Sequence, residues 1–280
     1  MKYEEVVVGM NIGLREFQIT PELQSVCLEA LEDNNPLYTD NSRSGTPIAH
    51  PVLILTHAVD SEWIGSFPEH LEYKSLVQFI KPASVGKIIT AQSKVYDKYI
   101  RRGRAFVTVG FDCFDKDGIP VMHCRTTQTI GSFDKYKSSR SREKIDTLKT
   151  IRSPEYRNLP KEITLSKMRK FSGHIDGGDN FHTSEKIARS AGFPAPLAQG
   201  MMSYAYILEM ILKNFGDKWL YGGSLEVKFI RQVYSGDTVT AFGRVSDQER
   251  NGPSHRITLE IWCENQRGEH TAIGVATGFI

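Results

Sequence analysis

The second half of this chain repeats the first half at a fixed offset of 150 residues, and the register holds without a gap. The matching pairs include Phe79 and Phe229, Ile80 and Ile230, Gly86 and Gly236, Thr90 and Thr240, Val95 and Val245, Cys113 and Cys263, and Gly118 and Gly268. Repetition on this scale constrains the fold before any local motif does, because each copy must form a similar structural unit. A chain of 280 residues has room for two such units. We therefore predict two domains, 1–133 and 162–280, joined by a linker over 134–161.

Composition and charge exclude several classes of function. The formal net charge is only +2, which is too small to indicate nucleic-acid binding. No apolar run approaches the roughly 20 residues needed to cross a bilayer, so we expect no membrane partner. The first residues lack the basic-then-apolar order of a secretion signal. Two of the four cysteines, Cys113 and Cys263, lie in apolar strand-like runs, which indicates buried thiols rather than a disulfide framework. We expect a cytoplasmic protein.

The linker is unusually basic. It contains nine Lys or Arg residues against four acidic ones, and Ser and Pro residues interrupt any apolar periodicity. The basic residues are Lys135, Lys137, Arg140, Arg142, Lys144, Lys149, Arg152, Arg157 and Lys161. Such a run is typical of a solvated connection between domains. The alternative is a basic rim that helps to hold a phosphorylated ligand, for which Arg101 and Arg102 are further candidates.

Both halves have the same predicted order of elements. An apolar stretch of helical length comes first, and four runs rich in Val, Ile, Thr, Phe and Tyr follow, separated by turn residues. Short connections of this kind indicate antiparallel hairpins. The apolar stretches are 47–64 and 196–212, the strand runs are 71–83, 86–97, 103–115 and 119–131 in the first half and 223–233, 236–247, 254–264 and 270–280 in the second, and shorter helices are predicted over 21–32 and 184–191.

The second apolar stretch is hydrophobic on nearly all sides, so a helix formed by it must be enclosed by the rest of the fold. A buried helix followed by four antiparallel strands suggests a sheet that curls around the helix. The predicted fold is therefore α+β, with two antiparallel sheets that each wrap around a long buried helix.

Three segments of the chain resemble a known family. Segment 176–202 contains Asp-Gly-Gly-Asp-Asn-Phe-His-Thr and later Pro-Leu-Ala-Gln-Gly-Met, segment 227–237 ends in Tyr-Ser-Gly-Asp, and segment 33–50 is a degenerate copy of the first. Their order and spacing resemble the MaoC-like branch of the hot-dog superfamily in its double hot-dog form. This branch contains R-specific enoyl-CoA hydratases and (3R)-hydroxyacyl thioester dehydratases. The resemblance covers nearly the whole chain.

The resemblance implies reversible addition of water across the 2,3 double bond of an acyl thioester, without a cofactor. The substrate would be carried by CoA or by acyl carrier protein. A carboxylate and an imidazole close to one water can divide the required proton transfers. Gly200 matches the family's glycine at the start of the buried helix and would donate its N–H to the thioester carbonyl, with Gln199 beside it as a further substrate-binding candidate.

The family pattern, Asp-x-Asn-Pro-x-His, is incomplete in both halves. His182 matches the family histidine in its distance from Gly200, but Gly177 occupies the position of the family aspartate. Asp176 stands one residue too early, and Asp179 falls where the family has asparagine. We expect His182 to be catalytic and leave open which aspartate assists it, because flanking glycines allow the loop to adjust.

The first half shows the opposite loss. Asp33, Asn35 and Pro36 fit the family pattern, but Tyr38 replaces the histidine. We expect Tyr38 to line the wall of a substrate tunnel, with Asp33 as a neighbouring substrate-binding candidate. His50 is expected to cap the first buried helix or to be satisfied in the core.

Two other functions stay open from the sequence. The protein could hydrolyse an acyl thioester, or bind one without turning it over. The histidines show no metal-ligand spacing and there is no Cys-x-x-Cys, so we expect no metal. Exposed sheet edges would allow two copies of the chain to pair as a homodimer of pseudo-dimers.

Overall fold

A computed structural model of the chain describes residues 1–40, 45–58, 61–67, 70–131, 155–173, 178–251 and 254–280. The helices are α1 (Pro21–Leu31), α2 (Pro51–Ala58), α3 (Ser61–Gly65), α4 (Leu165–Gly173), α5 (Glu185–Ser190) and α6 (Gly200–Phe215), with short 3-10 turns at Tyr3–Glu5, Pro36–Tyr38 and Asp217–Leu220. The strands are β1 (Asn11–Gln18), β2 (His70–Phe79), β3 (Ile88–Arg101), β4 (Arg104–Asp115), β5 (Pro120–Ile130), β6 (Tyr156–Arg157), β7 (Lys161–Glu162), β8 (Ser224–Phe229), β9 (Thr238–Asn251), β10 (Ser254–Asn265) and β11 (His270–Phe279).

The strands form one continuous antiparallel sheet. Its order is β1-β3-β4-β5-β2-β8-β11-β10-β9-β6, and β7 also pairs with β9. The α+β fold class is confirmed, but the two predicted sheets are joined into one. They join because β2 and β8 each end one repeat's sheet, and their free edges pair with each other.

The two repeats match residue by residue within the sheet. Ser75 pairs with Thr126 in the first repeat, and Leu225 pairs with Ala276 at positions 150 residues later. At the junction, Leu76 pairs with Glu226, its own counterpart in the other repeat. This is the pairing that a twofold axis through the junction requires. The repeats are therefore arranged as a pseudo-symmetric pair.

The buried helices of the two repeats differ in length. In α6 every side chain from Met202 to Leu212 is buried, as expected for a helix that is apolar on nearly all sides. The equivalent stretch of the first repeat forms the shorter α2, and α3 begins separately at Ser61. Both helices start later than predicted, because Ile48 and Leu197 form β-bridges to Ser84 and Tyr234 and stay extended.

Other elements were not predicted from the sequence. Strand β1 covers the outer edge of β3, and α4 packs against α1. Strands β6 and β7 fall at the end of the predicted linker and pair with β9. The rest of the linker, 134–154, lies outside the described residues, so the domain boundaries stay a prediction. No helix in the described part of the chain is long and apolar enough to span a membrane.

A buried ion pair ties the second repeat to α1. Lys161 Nζ lies 3.3 Å from a Glu209 carboxylate oxygen and donates to the carbonyl oxygens of Leu31 and Glu32 at the end of α1. The Glu209 side chain is 1% exposed. Removal of one partner of a buried pair leaves the other charge unpaired in a poorly solvated place.

We therefore expect Lys161→Met to lower the free energy of unfolding by about 3 kcal/mol. Urea unfolding followed by fluorescence measures this effect. Lys213→Met is the matched control, because Lys213 also contacts Glu209 but its side chain is 48% exposed. It should cost less than about 1 kcal/mol. Equal losses in the two variants would contradict this account of Lys161.

Candidate active site

A cavity of about 610 Å³ lies between the two repeats. The second repeat supplies His182, the start of α6 and the end of β8. The opposite wall comes from β2, β4 and β5 of the first repeat. The volume is in the range of ligand pockets in proteins. This cavity brings together three of the residues that the sequence singled out, namely His182, Gln199 and Gly200.

His182 is held against the segment that leads into α6. Its Nδ1 lies 2.5 Å from the Leu197 carbonyl oxygen, and the Leu197 N–H donates to the Phe181 carbonyl oxygen. The Asn180 side chain accepts a hydrogen bond from the His182 N–H at 2.7 Å, which fixes the turn before the histidine. The hydrogen bond to Leu197 therefore orients the imidazole, and two backbone hydrogen bonds hold the loop around it.

The His182 ring is neutral at physiological pH. Burial lowers the pKa of His182 to about 4, and the nearby His70 adds to this, although the hydrogen bond to Leu197 opposes it. A carbonyl oxygen can only accept, so Nδ1 must carry the proton in the neutral ring. The Nε2 atom then has a free lone pair. An imidazole in this form can act as a general base.

Gly200 is the first residue of α6. Its N–H finds no hydrogen-bond acceptor within the described residues, as is usual for the first amides of a helix. A Cβ atom at this position would lie 3.2 Å from the Phe229 ring, so only glycine leaves open space there. The Gln199 side chain is buried beside it and donates to the Ser172 hydroxyl. The start of α6 thus offers an unused donor to the cavity.

The two aspartate candidates have different outcomes. Asp179 is exposed to solvent and is not among the residues that line the cavity. Asp176 lies outside the described residues, as do Gly177 and His174. The choice of a carboxylate partner for His182 in its own loop therefore stays a prediction.

The corresponding residues of the first repeat are sealed in the core. Tyr38 was expected on a tunnel wall but is 2% exposed, with its ring 4.5 Å from the His50 ring. His50 Nε2 lies 3.4 Å from an Asp33 oxygen. Burial raises the pKa of Asp33, but His50, the Asn35 N–H and Lys161 together outweigh burial, so the pKa lies below its ordinary value. Neither Asp33 nor Tyr38 lines the cavity.

Trp219 occupies the pseudo-symmetric position in the second repeat. Its side chain is fully buried and packs against Gly223 and Gly278. These glycines are the counterparts, 150 residues later, of Tyr73 and Gln128 in the cavity wall. An indole thus covers the surface of the second repeat that corresponds to the open wall of the first.

Cationic side chains lie around the cavity, and most of the linker candidates fall outside the described residues. The lining includes Arg104, Lys228 and Arg231, whereas Arg101 and Arg102 are not part of it. Lys161, the last basic residue of the linker, is used in the buried ion pair. Within the described part of the chain, no group of three or more His, Cys, Asp or Glu side chains could hold a metal ion.

Sequence reasoning missed several residues of the site. Asn180 was read only as part of a motif, yet its side chain fixes the turn before His182. Glu72 lies within a predicted strand run and His70 directly before it, and nothing in the pattern marks either residue. Only the pairing of β2 with β8 brings them to the site of the other repeat.

Comparisons with known proteins agree with this architecture. The family model described as the MaoC like domain matches residues 149–269. A solved MaoC-like dehydratase superposes with a TM-score of 0.79 at 14% identity, covering 100% of this chain and 99% of the other. A MaoC-like dehydratase from Phytophthora capsici gives a TM-score of 0.73 at 15% identity, covering 100% and 98%. No curated protein matches significantly.

A third structure establishes the fold class. A conserved hypothetical protein from Mycobacterium tuberculosis, described as having a double hot-dog fold, superposes with a TM-score of 0.67 at 10% identity. It covers 99% of this chain and 97% of the other. The chain is therefore a double hot-dog protein. The family model matches most of its second repeat, in agreement with the sequence resemblance.

Proposed function

We propose that the protein adds water reversibly across the double bond of a 2-enoyl-CoA, and equally removes water from the corresponding 3-hydroxyacyl-CoA. The observation that carries this proposal is the combination of His182 and Gly200 in one cavity. His182 offers an unprotonated Nε2, and Gly200 offers an N–H without an acceptor among the described residues. These are a base and an oxyanion donor, the two groups that conjugate addition of water requires.

The first half of the proposed reaction forms an enolate. The Gly200 N–H donates a hydrogen bond to the thioester carbonyl oxygen. The oxygen of a water molecule bonds to C3 while His182 Nε2 takes one of its protons. The π electrons between C2 and C3 form the C1–C2 double bond of the enolate, and the carbonyl π electrons move to the oxygen, where the Gly200 N–H stabilises the developing charge.

The second half returns the same proton. The carbonyl re-forms, the electron pair moves to C2, and protonated His182 gives its proton to this carbon. The low pKa of His182 makes its protonated form a stronger acid than an ordinary imidazolium, which favours this transfer. The product carries hydroxyl on C3 and hydrogen on C2, and His182 is again neutral. These steps require no cofactor.

A carboxylate that holds the water would assist both steps. In the family pattern an aspartate has this role, and Gly177 occupies its position here. Asp176 remains our candidate for the role because it adjoins that position. Asp179 has weaker support because it is exposed.

The CoA part of the substrate would lie towards β8. Lys228 and Arg231 line the cavity there, and the Arg231 side chain is 50% exposed. Cationic side chains at the mouth of a cavity attract and bind phosphate groups. This arrangement supports a CoA thioester, although an acyl-carrier-protein phosphopantetheine would share the same chemistry.

The test is the ultraviolet absorbance of the enoyl-thioester band when purified protein is mixed with crotonyl-CoA and longer enoyl-CoAs. We expect the band to decay without release of free thiol. Free thiol would indicate a thioesterase instead. Ligand-induced thermal stabilisation without any decay would indicate a binding protein, and either of these results would refute the proposed hydration.

A further inference from the structure

The cavity wall formed by the first repeat contains a polar patch. It presents side chains from β2 and β5 that carry hydrogen-bonding groups, namely Glu72, Ser75, Thr126 and Gln128. The counterparts of these residues in the second repeat, 150 positions later, are Gly222, Leu225, Ala276 and Gly278. The second repeat therefore shows what the same sheet positions contain when they face a closed apolar core.

A β-bulge turns Glu72 towards the cavity. Strand β2 has one extra residue, Tyr73, between Glu72 and Lys74 where it pairs with β5. Residues three apart on a regular strand point to opposite faces, but a bulge between them brings them to the same face. Glu72 and Ser75 accordingly both line the cavity. In the second repeat, β8 begins at Ser224, one residue after the counterpart of Tyr73.

A chain of hydrogen bonds holds the Glu72 carboxyl group. Gln128 Nε2 donates to Thr126 Oγ1 at 3.2 Å, and Thr126 Oγ1 donates to Glu72 Oε1 at 3.1 Å. No hydrogen bond to the other Glu72 oxygen is formed within the described residues. One oxygen of this carboxyl group thus remains available to a ligand, in an orientation fixed by its neighbours.

The polar patch around Glu72 does not suit a plain hydrocarbon chain. An alkyl group packed against Glu72 would displace water from the free carboxyl oxygen and could not donate a hydrogen bond in its place. Loss of the hydrogen bond to water would weaken binding. A leucine or an alanine at these sheet positions, as in the second repeat, would have no such desolvation penalty. A hydrogen-bond donor on the ligand would satisfy the free oxygen. Burial raises the pKa of Glu72 to about 7, so at and above neutral pH the group increasingly acts as an acceptor only.

Other titratable groups face Glu72 from the surrounding elements. Cys124 on β5 and Tyr204 on α6 are close enough for Glu72 to raise their pKa values further, in addition to the larger effect of burial. His70 on β2 and Arg104 on β4 line the same cavity. Burial and the Thr126 hydrogen bond, rather than a neighbouring cation, are the causes that shift the pKa of this carboxyl group.

We propose that the acyl group bound by this protein carries a hydrogen-bond donor, a hydroxyl or an amide N–H, which binds Glu72 on the wall formed by the first repeat. This inference rests on the proposed function, because it assumes that an acyl thioester occupies the cavity. It assigns Glu72 to substrate selection, whereas His182 and Gly200 act on the thioester itself.

The test compares matched ligands by isothermal titration calorimetry. Each ω-hydroxyacyl-CoA from butanoyl to octanoyl is paired with its unsubstituted parent acyl-CoA. We expect the hydroxy compound to bind at least about tenfold more tightly at one or more lengths, the value of one buried hydrogen bond to a charged group. Glu72→Leu should remove or reverse this preference. Glu72→Gln should keep part of it, because its amide oxygen still accepts.

Glu226→Gln is the matched control, because this carboxylate lies on β8 outside the cavity lining. It should leave the preference unchanged. Equal or tighter binding of the parent compounds at every length, or a preference that survives in both Glu72 variants, would overturn the proposal. Hydration of enoyl-CoAs is measured separately on the wild-type protein. Its absence would refute the proposed reaction, and a hydroxyl preference in binding would still support the role of Glu72.

Discussion

His182→Asn should lower kcat/KM for hydration by about a thousandfold, which lies within the range that loss of a general base produces. The asparagine amide can occupy the position of Nδ1 and keep the hydrogen bond to the Leu197 carbonyl oxygen. It has no group in the position of Nε2. The variant therefore removes the proposed base while it preserves the contact that holds the loop, and decay of the enoyl-thioester band measures the result.

The matched control is His255→Asn, because His255 is exposed and is not among the residues that line the cavity. It should leave kcat/KM unchanged. Activity retained in His182→Asn with an unchanged melting temperature would remove His182 from the mechanism.

The pH profile of the wild-type protein tests the same assignment. The neutral imidazole is the active form, so kcat/KM should fall only as the pH drops through about 4. A histidine with an ordinary pKa of about 6.5 would lose activity much earlier. An acid limb that disappears in His182→Asn would identify this residue as its source.

Gly200→Pro should lower kcat by about a hundredfold to a thousandfold, the usual effect of losing one oxyanion donor. Proline lacks the N–H that we assign to the thioester carbonyl. It is tolerated at the first position of a helix, and Gln199 already has the extended backbone, with ψ at 132°, that a residue before proline adopts. The helix itself should therefore stay intact.

Gly200→Ala is the control for side-chain volume. Its Cβ would meet the Phe229 ring at 3.2 Å, as that of proline would, but it retains the N–H. Melting temperatures of both variants show whether the fold is preserved. If alanine and proline reduce kcat equally, crowding by Phe229 is the cause and the assignment of the Gly200 N–H is incorrect.

The repeat made much of the fold predictable. Its offset places eight strands and both buried helices, because side-chain alternation and turn residues recur at equivalent positions. Strand β1 and helix α4 were missed, since each is stabilised by packing against a distant element rather than by a strong local pattern. The joining of two sheets into one was also missed. Edge pairing depends on the shape of the two sheets, and no residue pattern in β2 or β8 indicates it.

Only the part of the candidate site that the second repeat supplies could be predicted from the sequence. The spacing of His182 and Gly200 could be read from the sequence because both lie on one continuous segment. The opposite wall could not be read, because it depends on a one-residue bulge in β2 and on contact between repeats. Tyr38 stands at a motif position, so we predicted it on the wall of a substrate tunnel. Its ring instead packs against His50 in the core.

The junction between β2 and β8 has a consequence for how such a site can change. In a dimer of identical subunits, every substitution appears twice, so an altered wall beside one site is also an altered core beside the other. Here Glu72 and its counterpart Gly222 are encoded separately, and so are Gln128 and Gly278. Joining the two copies in one chain allows the sheet surface of one repeat to adapt to a ligand, while the equivalent surface of the other repeat keeps a tightly packed tryptophan. Selectivity and stability can then be selected independently.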